Sequence, residues 1–335
     1  MNRIAAIIAL LSLASCAPSP VRDGQNFDPD NPIVWPGPPQ KARIRFLYSL
    51  TEPRDLGISP GLMKRFVQFF AGRTSEAMLR PYAVAADADL IAVADPGLRL
   101  VHLFMIKESR YDVIRDAGDE SLQSPVAISI SPDSIYVADS SAAKVFVFDR
   151  NGDLKNSVQG LSRPTGLAFH TPSKRLYVTD TLENQVHVFD ERGNPLSEFG
   201  GRGLSIGEFN FPTSLAMHDD TLLVNDTLNY RIQAFSLDGE PISAFGENGD
   251  GSGQFALSKG VGTDAEGHIY IADALSNHVQ VFDMEGRFLL AFGGMGGEPG
   301  QFRLPAGVHS FGNTIYIADS QNGRVQVFEF LGGET

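Results

Sequence analysis

Ile135-Tyr136-Val137-Ala138-Asp139, then Ser140-Ser141-Ala142-Ala143, then Lys144-Val145-Phe146-Val147-Phe148, is the stretch on which the fold turns. It reads as two short strands, rich in β-branched and aromatic residues, joined by a small-residue turn that begins at an aspartate. The same phrase returns along the chain. Its first half recurs as Ile91–Asp95, Leu176–Asp180, Leu222–Asp226, Ile269–Asp273 and Ile315–Asp319. The six aspartates, Asp95, Asp139, Asp180, Asp226, Asp273 and Asp319, stand 41 to 47 residues apart. A unit of that length, built of short strands, fits four-stranded sheets arranged radially. Helical solenoids share the period, but no 3.6-residue apolar stripe runs through these units. The expected fold class is all-β, a six-bladed β-propeller of four-stranded blades.

Within a unit, strand a follows a proline, as in Pro164-Thr165-Gly166-Leu167-Ala168-Phe169, and strand b ends in the aspartate. Strand c is a run such as Val186-His187-Val188-Phe189. Strand d follows the turn Glu191-Arg192-Gly193-Asn194 and ends in Phe199-Gly200. The last unit has no strand d of its own. Upstream, Arg43-Ile44-Arg45-Phe46-Leu47-Tyr48-Ser49-Leu50 alternates with a period of two. It is expected to close the last blade, since an open ring leaves unpaired edges.

Asp226-Asn229-Arg231 and Asp319-Asn322-Arg324 carry a further pattern, Asp with Asn three on and Arg five on, which resembles the NHL-repeat family. Asp139-Lys144 and Asp273-His278 match it in part, while Asp180-Gln185 and Asp95-Leu100 depart from it. The resemblance covers about 250 residues and implies the same six-bladed fold. Asp and its basic partner face each other across a tight turn, where they can pair and the carboxylate can accept backbone N–H bonds. The six aspartates therefore read either as a binding ring or as staples of their own loops. A basic partner recurring with its Asp favours stapling.

The chain begins with Arg3 and an apolar run from Ile4 to Ala14, too short to span a bilayer as a helix. A basic start, a short apolar stretch and small residues make a secretory signal over 1–15. The single cysteine stands in Leu13-Ala14-Ser15-Cys16, which resembles the lipobox of bacterial lipoproteins. The resemblance implies lipidation of Cys16 and a membrane held through that anchor. With Ala17 next, it implies a place in the bacterial cell envelope, on the outer membrane facing the periplasm. Residues 16–40 are rich in proline and read as a flexible tether, from which Trp35 would dock on the body or on a partner, the body being the leading expectation. The propeller occupies 41–335, with a helical insertion over 51–79. There Ser59 caps a short helix carrying Leu62, Phe66, Phe69 and Phe70 at helical spacing. So broad an apolar face needs cover, which an end of the propeller, a partner protein or the membrane surface would each supply.

Composition narrows the function. The chain has 335 residues, 42% hydrophobic and 20% charged, with 34 Gly, 20 Pro and a net charge of −13. An acidic chain is a poor nucleic-acid binder, because such binding runs on basic surfaces. One cysteine excludes an internal disulfide and cysteine-based zinc sites. The Gly-rich stretches fall between strands with no helix to receive a pyrophosphate. No Gly-x-Ser-x-Gly elbow occurs. Most of the seven histidines occupy repeat positions filled elsewhere by Asp, Gln or Arg, so no metal set, cofactor or catalytic residue is expected. His309 is the exception, standing where other units have Ala, Ser or Gly; it fills a gap between blades or lines a ligand cavity.

Residues flanking the proline of strand a fall near the axis on the face where binding loops gather. Arg80, Tyr82, Arg163, Thr165, Thr213 and Lys259 lie there and make a basic, hydroxyl-bearing ring on an acidic body. Such a local reversal of charge focuses an anionic ligand or an acidic loop of a partner. The leading expectation is a non-enzymatic, lipid-anchored scaffold with a monomeric body that recognises another envelope protein or polymer. The alternative is a periplasmic, metal-dependent lyase or lactonase-like enzyme, since those propellers look distantly similar.

Overall fold

A computed structural model describes residues 31–59 and 77–332. Six antiparallel sheets stand around an axis; in five of them the strands follow one another in chain order, and the sixth combines the last three strands with strands from the start of the body. Blade 1 is Ala83–Ala86, Leu90–Asp95, Leu100–Met105 and Arg110–Ile114. Blades 2 to 5 begin with the inner strands Pro125–Ile130, Pro164–His170, Pro212–His218 and Ser258–Thr263. Blade 6 contributes Pro305–Phe311, Thr314–Asp319 and Arg324–Phe330. Each inner strand packs beside the next, and that of blade 6 beside that of blade 1, so the ring is closed.

The closing strand is the one expected. Ile44–Leu50 pairs antiparallel with Arg324–Phe330, in a register that sets Ile44 opposite Phe330 and Leu50 opposite Val325. Ile44 and Phe46 are buried in one blade gap and Leu50 in the next, because a bulge between Phe46 and Tyr48 interrupts the period of two read from the sequence. Trp35 docks as expected, and it does so within a fifth strand: Val34–Trp35 pairs with Arg45 and Ile44. Its indole lies 5.8 Å from Phe292 and 5.9 Å from Phe328. The folded body thus includes part of the segment expected to be tether.

Both faces of every blade press on a neighbour, so the middle strands read as continuous apolar runs; Ile269–Asp273 is buried throughout. Six hydrophobic clusters alternate with the six blades, one in each gap between sheets. Near the axis the sheets converge, and the strand a position two after the proline is small. A Cβ on Gly166 would lie 2.4 Å from Thr213 O, and one on Gly260 2.0 Å from Ala306 O. Only glycine lets the inner strands approach so closely there.

Among the described residues there is no α-helix. A 3₁₀ turn, Pro53–Leu56, follows the closing strand, and Ile58 and Met78, within the expected insertion, are buried. Leu62, Phe66, Phe69 and Phe70 of the expected helix lie outside the described residues, as do the signal segment and Cys16.

Candidate functional site

All six repeat aspartates are fully buried and bonded within their own loops, so they do not form an open binding ring. Each accepts backbone N–H bonds from the segment that enters its blade. Asp139 takes those of Gln123 and Ser124, Asp180 those of Ser162 and Arg163, and Asp273 those of Ala256 and Leu257. In blades 4 and 6 an arginine completes the staple. Arg231 Nε lies 2.8 Å from Asp226 Oδ2 and Arg324 Nε 2.8 Å from Asp319 Oδ2. The same guanidinium groups also donate to carbonyls of the loop between blades, at Ser205 and Glu208 in one case and Glu298 and Gln301 in the other. The partial matches do not pair: Lys144 turns away to Glu120, at 2.6 Å.

The sequence-derived ring divides in two. The hydroxyls of Thr165 and Thr213 are engaged in stapling. Thr165 Oγ1 lies 2.6 Å from Thr181 Oγ1 and donates to Thr213 O across the blade gap, and Thr213 Oγ1 lies 2.7 Å from Thr227 Oγ1. Of the other four, Tyr82 and Lys259 line the channel, and Arg80 and Arg163 are exposed outside it. Lys259 Nζ sits 5.4 Å from the Tyr82 ring centroid, and the Arg163 guanidinium 5.9 Å from that of Phe211. None of the three cations has a carboxylate partner among the described residues.

Charge links these side chains in two pairs. Burial, and then the charge of Arg80, hold the Lys259 ammonium below the usual lysine range. Burial raises the Tyr82 phenol, and Arg163 opposes that shift. Lys259 is half-buried while Arg80 and Arg163 are exposed, and an incoming negative group would relieve the repulsion among them.

The channel is a cavity of about 260 Å³, walled by the inner strands. Val84, Ile128, Leu167, Leu215, Val261 and Val308 line it, with Tyr82, Lys259 and Thr165 among its polar residues and His309 on the wall. His309 both lines the cavity and bridges a gap between blades. Its Nε2–H donates to Ala86 O at 2.8 Å, from blade 6 to blade 1. Burial lowers its basicity, against the Ala86 bond and Asp87, so the ring is neutral near pH 7 and Nδ1 is the unprotonated nitrogen.

One constellation departs from the expectation of no metal set. Asp180, Glu183 and His187 in blade 3 bring their ligating atoms within 4.8 Å of one another. Sequence reasoning set His187 aside because Gln fills its site in other blades. The signal lay in the pairing of that histidine with a glutamate at the Asn site, four residues before it.

No protein-family model and no curated protein sequence matches the chain. Solved structures do. A Bacteroides thetaiotaomicron protein of unknown function superposes with a TM-score of 0.60 at 16% identity, over 77% of this chain and 71% of that one. Virginiamycin B lyase from Staphylococcus aureus gives 0.55 at 12%, over 76% and 96%. A catalytically inactive histidine-to-alanine variant of that lyase has been solved with quinupristin. Hydrazine synthase of Kuenenia stuttgartiensis gives 0.56 at 11%, over 78% and 99%. The chain shares their propeller fold.

Proposed function

We propose that the chain is an NHL-type propeller, lipid-anchored through Cys16 to the outer membrane on its periplasmic side, which holds an acidic segment of an envelope protein or polymer without catalysis. The observation that carries this reading is the charge about the channel mouth, on a protein whose net charge is −13: Arg80 and Arg163 are exposed outside the channel and Lys259 lines it beside Tyr82, none with a carboxylate partner among the described residues. Three cations left without internal partners cost the folded protein repulsion, which an acidic ligand relieves. The scaffold beneath is rigid, since Asp staples hold the loops and threonines lock neighbouring blades. Rigidity lowers the entropic cost of binding.

Reversing Arg163→Glu together with Lys259→Glu tests the reading. Arg163 is exposed and Lys259 only half-buried, so the double variant keeps its melting temperature within a few degrees. Crosslinking in the native envelope then recovers the partner with wild-type protein and loses it with the variant. An unchanged set of crosslinked partners overturns the proposal. Cys16→Ser tests the anchor separately, by moving the protein from the membrane to the soluble fraction.

A lyase-like activity in the channel is the second reading, and His309 favours it, a neutral imidazole on the cavity wall with its Nδ1 unprotonated. Turnover abolished by His309→Ala but retained by the mouth double variant would select it over the scaffold.

A further inference from the structure

We infer that blade 3 carries a divalent-cation site formed by Asp180, Glu183 and His187. The argument comes from comparing equivalent positions around the ring. In blade 4, Asp226 Oδ2 receives three side-chain donors: Asn229 Nδ2 at 2.8 Å, Arg231 Nε at 2.8 Å and Gln233 Nε2 at 3.1 Å. Blade 6 repeats the arrangement on Asp319 with Asn322, Arg324 and Gln326, at 2.8, 2.8 and 3.0 Å. Three, five and seven residues after the Asp, blade 3 has Glu183, Gln185 and His187 instead. The guanidinium is gone and a second carboxylate has arrived, so the locus is two formal charges more negative than in blades 4 and 6. No other blade has this pair: the same two sites hold Leu98 and His102, Ala142 and Phe146, or Ser276 and Gln280.

The three groups are ligand types, not merely acids, and residues outside the set aim each of them. Asp180 is fully buried and is held by the N–H groups of Ser162 and Arg163. Glu183 Oε1 accepts from Ser162 Oγ at 2.6 Å, which leaves Oε2 toward the cluster. His187 Nδ1 faces Glu198 Oε2 at 3.4 Å, and its Nε2 lies 2.9 Å from Glu183 Oε2. A carboxylate behind a histidine, with the other ring nitrogen toward the cluster, is the outer-sphere arrangement that fixes the tautomer of a metal-binding imidazole. A cation entering here displaces the proton between Nε2 and Glu183 and releases it to solvent. It restores the positive charge that arginine supplies in blades 4 and 6. Two carboxylates and one imidazole suit a first-row divalent ion such as Zn²⁺ or Mn²⁺, with water at the open positions; Ca²⁺ wants six or more oxygens and fits less well.

Full-length protein stripped with chelator and titrated calorimetrically with ZnCl₂, MnCl₂ and CaCl₂ tests the inference. One Zn²⁺ or Mn²⁺ binds per chain, at least about tenfold more tightly than Ca²⁺, and binding weakens as pH falls. Glu198→Gln weakens it by about 10- to 100-fold. The triple variant E183N/Q185R/H187Q writes the blade 4 pattern into blade 3, so it folds and loses the site. His187→Gln alone, a change that blades 4, 5 and 6 already accommodate, serves should the triple variant misfold, and it too loses at least about tenfold in affinity. Wild-type protein that binds neither Zn²⁺ nor Mn²⁺ at one per chain, or an H187Q protein that binds as wild type does, overturns the inference. Lys259→Glu alone, on the blade 5 inner strand and away from Asp180, leaves these titrations unchanged while still testing the mouth, so the two proposals fail separately.

Discussion

Ile44 stands opposite Phe330 in the ladder that closes the last blade, so the first full strand of the body completes the last sheet. Phe46, on the same face, meets Phe328 edge-on at 5.6 Å. The ring is therefore held shut by contacts between residues near the two ends of the described chain, and its cooperativity depends on them.

Deleting residues 43–50 exposes both the apolar gap and an unpaired strand edge, and is expected to abolish cooperative unfolding. Phe46→Ala, the milder change, costs about 3–5 kcal/mol. Urea denaturation followed by circular dichroism checks both. A deletion variant with a single transition at the wild-type midpoint would refute closure by this strand.

Arg324 is the cation of a buried staple: its side chain is 11% exposed and Asp319 is not exposed at all. Burial pushes the Asp319 carboxyl upward even with Arg303 N–H, Asn322 and Arg324 in place. Arg324→Met leaves that carboxylate uncompensated and costs about 3–5 kcal/mol. Adding Asp319→Asn removes the stranded charge and recovers part of the loss. A double variant no more stable than Arg324→Met would mean that charge is not the reason.

Gly260 touches the neighbouring blade through its missing side chain. Gly260→Ala drives a methyl group against Ala306 O and costs about 1–3 kcal/mol in strain or displaced backbone. Gly37→Ala, where a Cβ would meet nothing within 4 Å, is the control and changes stability little. Equal melting temperatures for the two variants would contradict the close approach of inner strands.

His309 makes stability depend on acid. Its basicity in the folded protein is lowered by burial, so unfolded chains bind the extra proton more readily. Its contribution is complete above the ordinary histidine value of about 6.5 and is lost as pH falls through the lower folded value. His309→Gln keeps a donor toward Ala86 O and removes the titration, so its melting temperature falls less steeply below pH 6.5. Identical slopes for wild type and variant would exclude this histidine as a source of acid sensitivity.

Much of the site was legible because the repeat converts sequence position into place. The proline before strand a, or Ser258 in its place in blade 5, marks where the inner strand begins, which is how Arg80, Arg163 and Lys259 came to be read as one group. The arginines of blades 4 and 6 were legible for the same reason, being local to their turn. The hydroxyl half of the ring was not. Thr165 and Thr213 find partners in Thr181 and Thr227 and across the blade gap, and such contacts depend on how tightly the inner strands converge. Lys144 likewise reaches Glu120, 24 residues away, instead of its own aspartate. A long flexible amine takes whichever carboxylate the packing leaves exposed, and the spacing carries no record of that choice.

The amino-acid order by itself determined six units, the four strands in each and the closure of the ring, because alternation and turn chemistry act over a few residues and recur with a period. Convergence was decided only in three dimensions. The Thr165 bridge to the next blade, the seat of Trp35 against Phe292 and Phe328, and the placing of Glu183 and Glu198 about the His187 imidazole arise where separate segments are brought side by side. Burial and distance there fix which polar groups find partners and which charges are left without them.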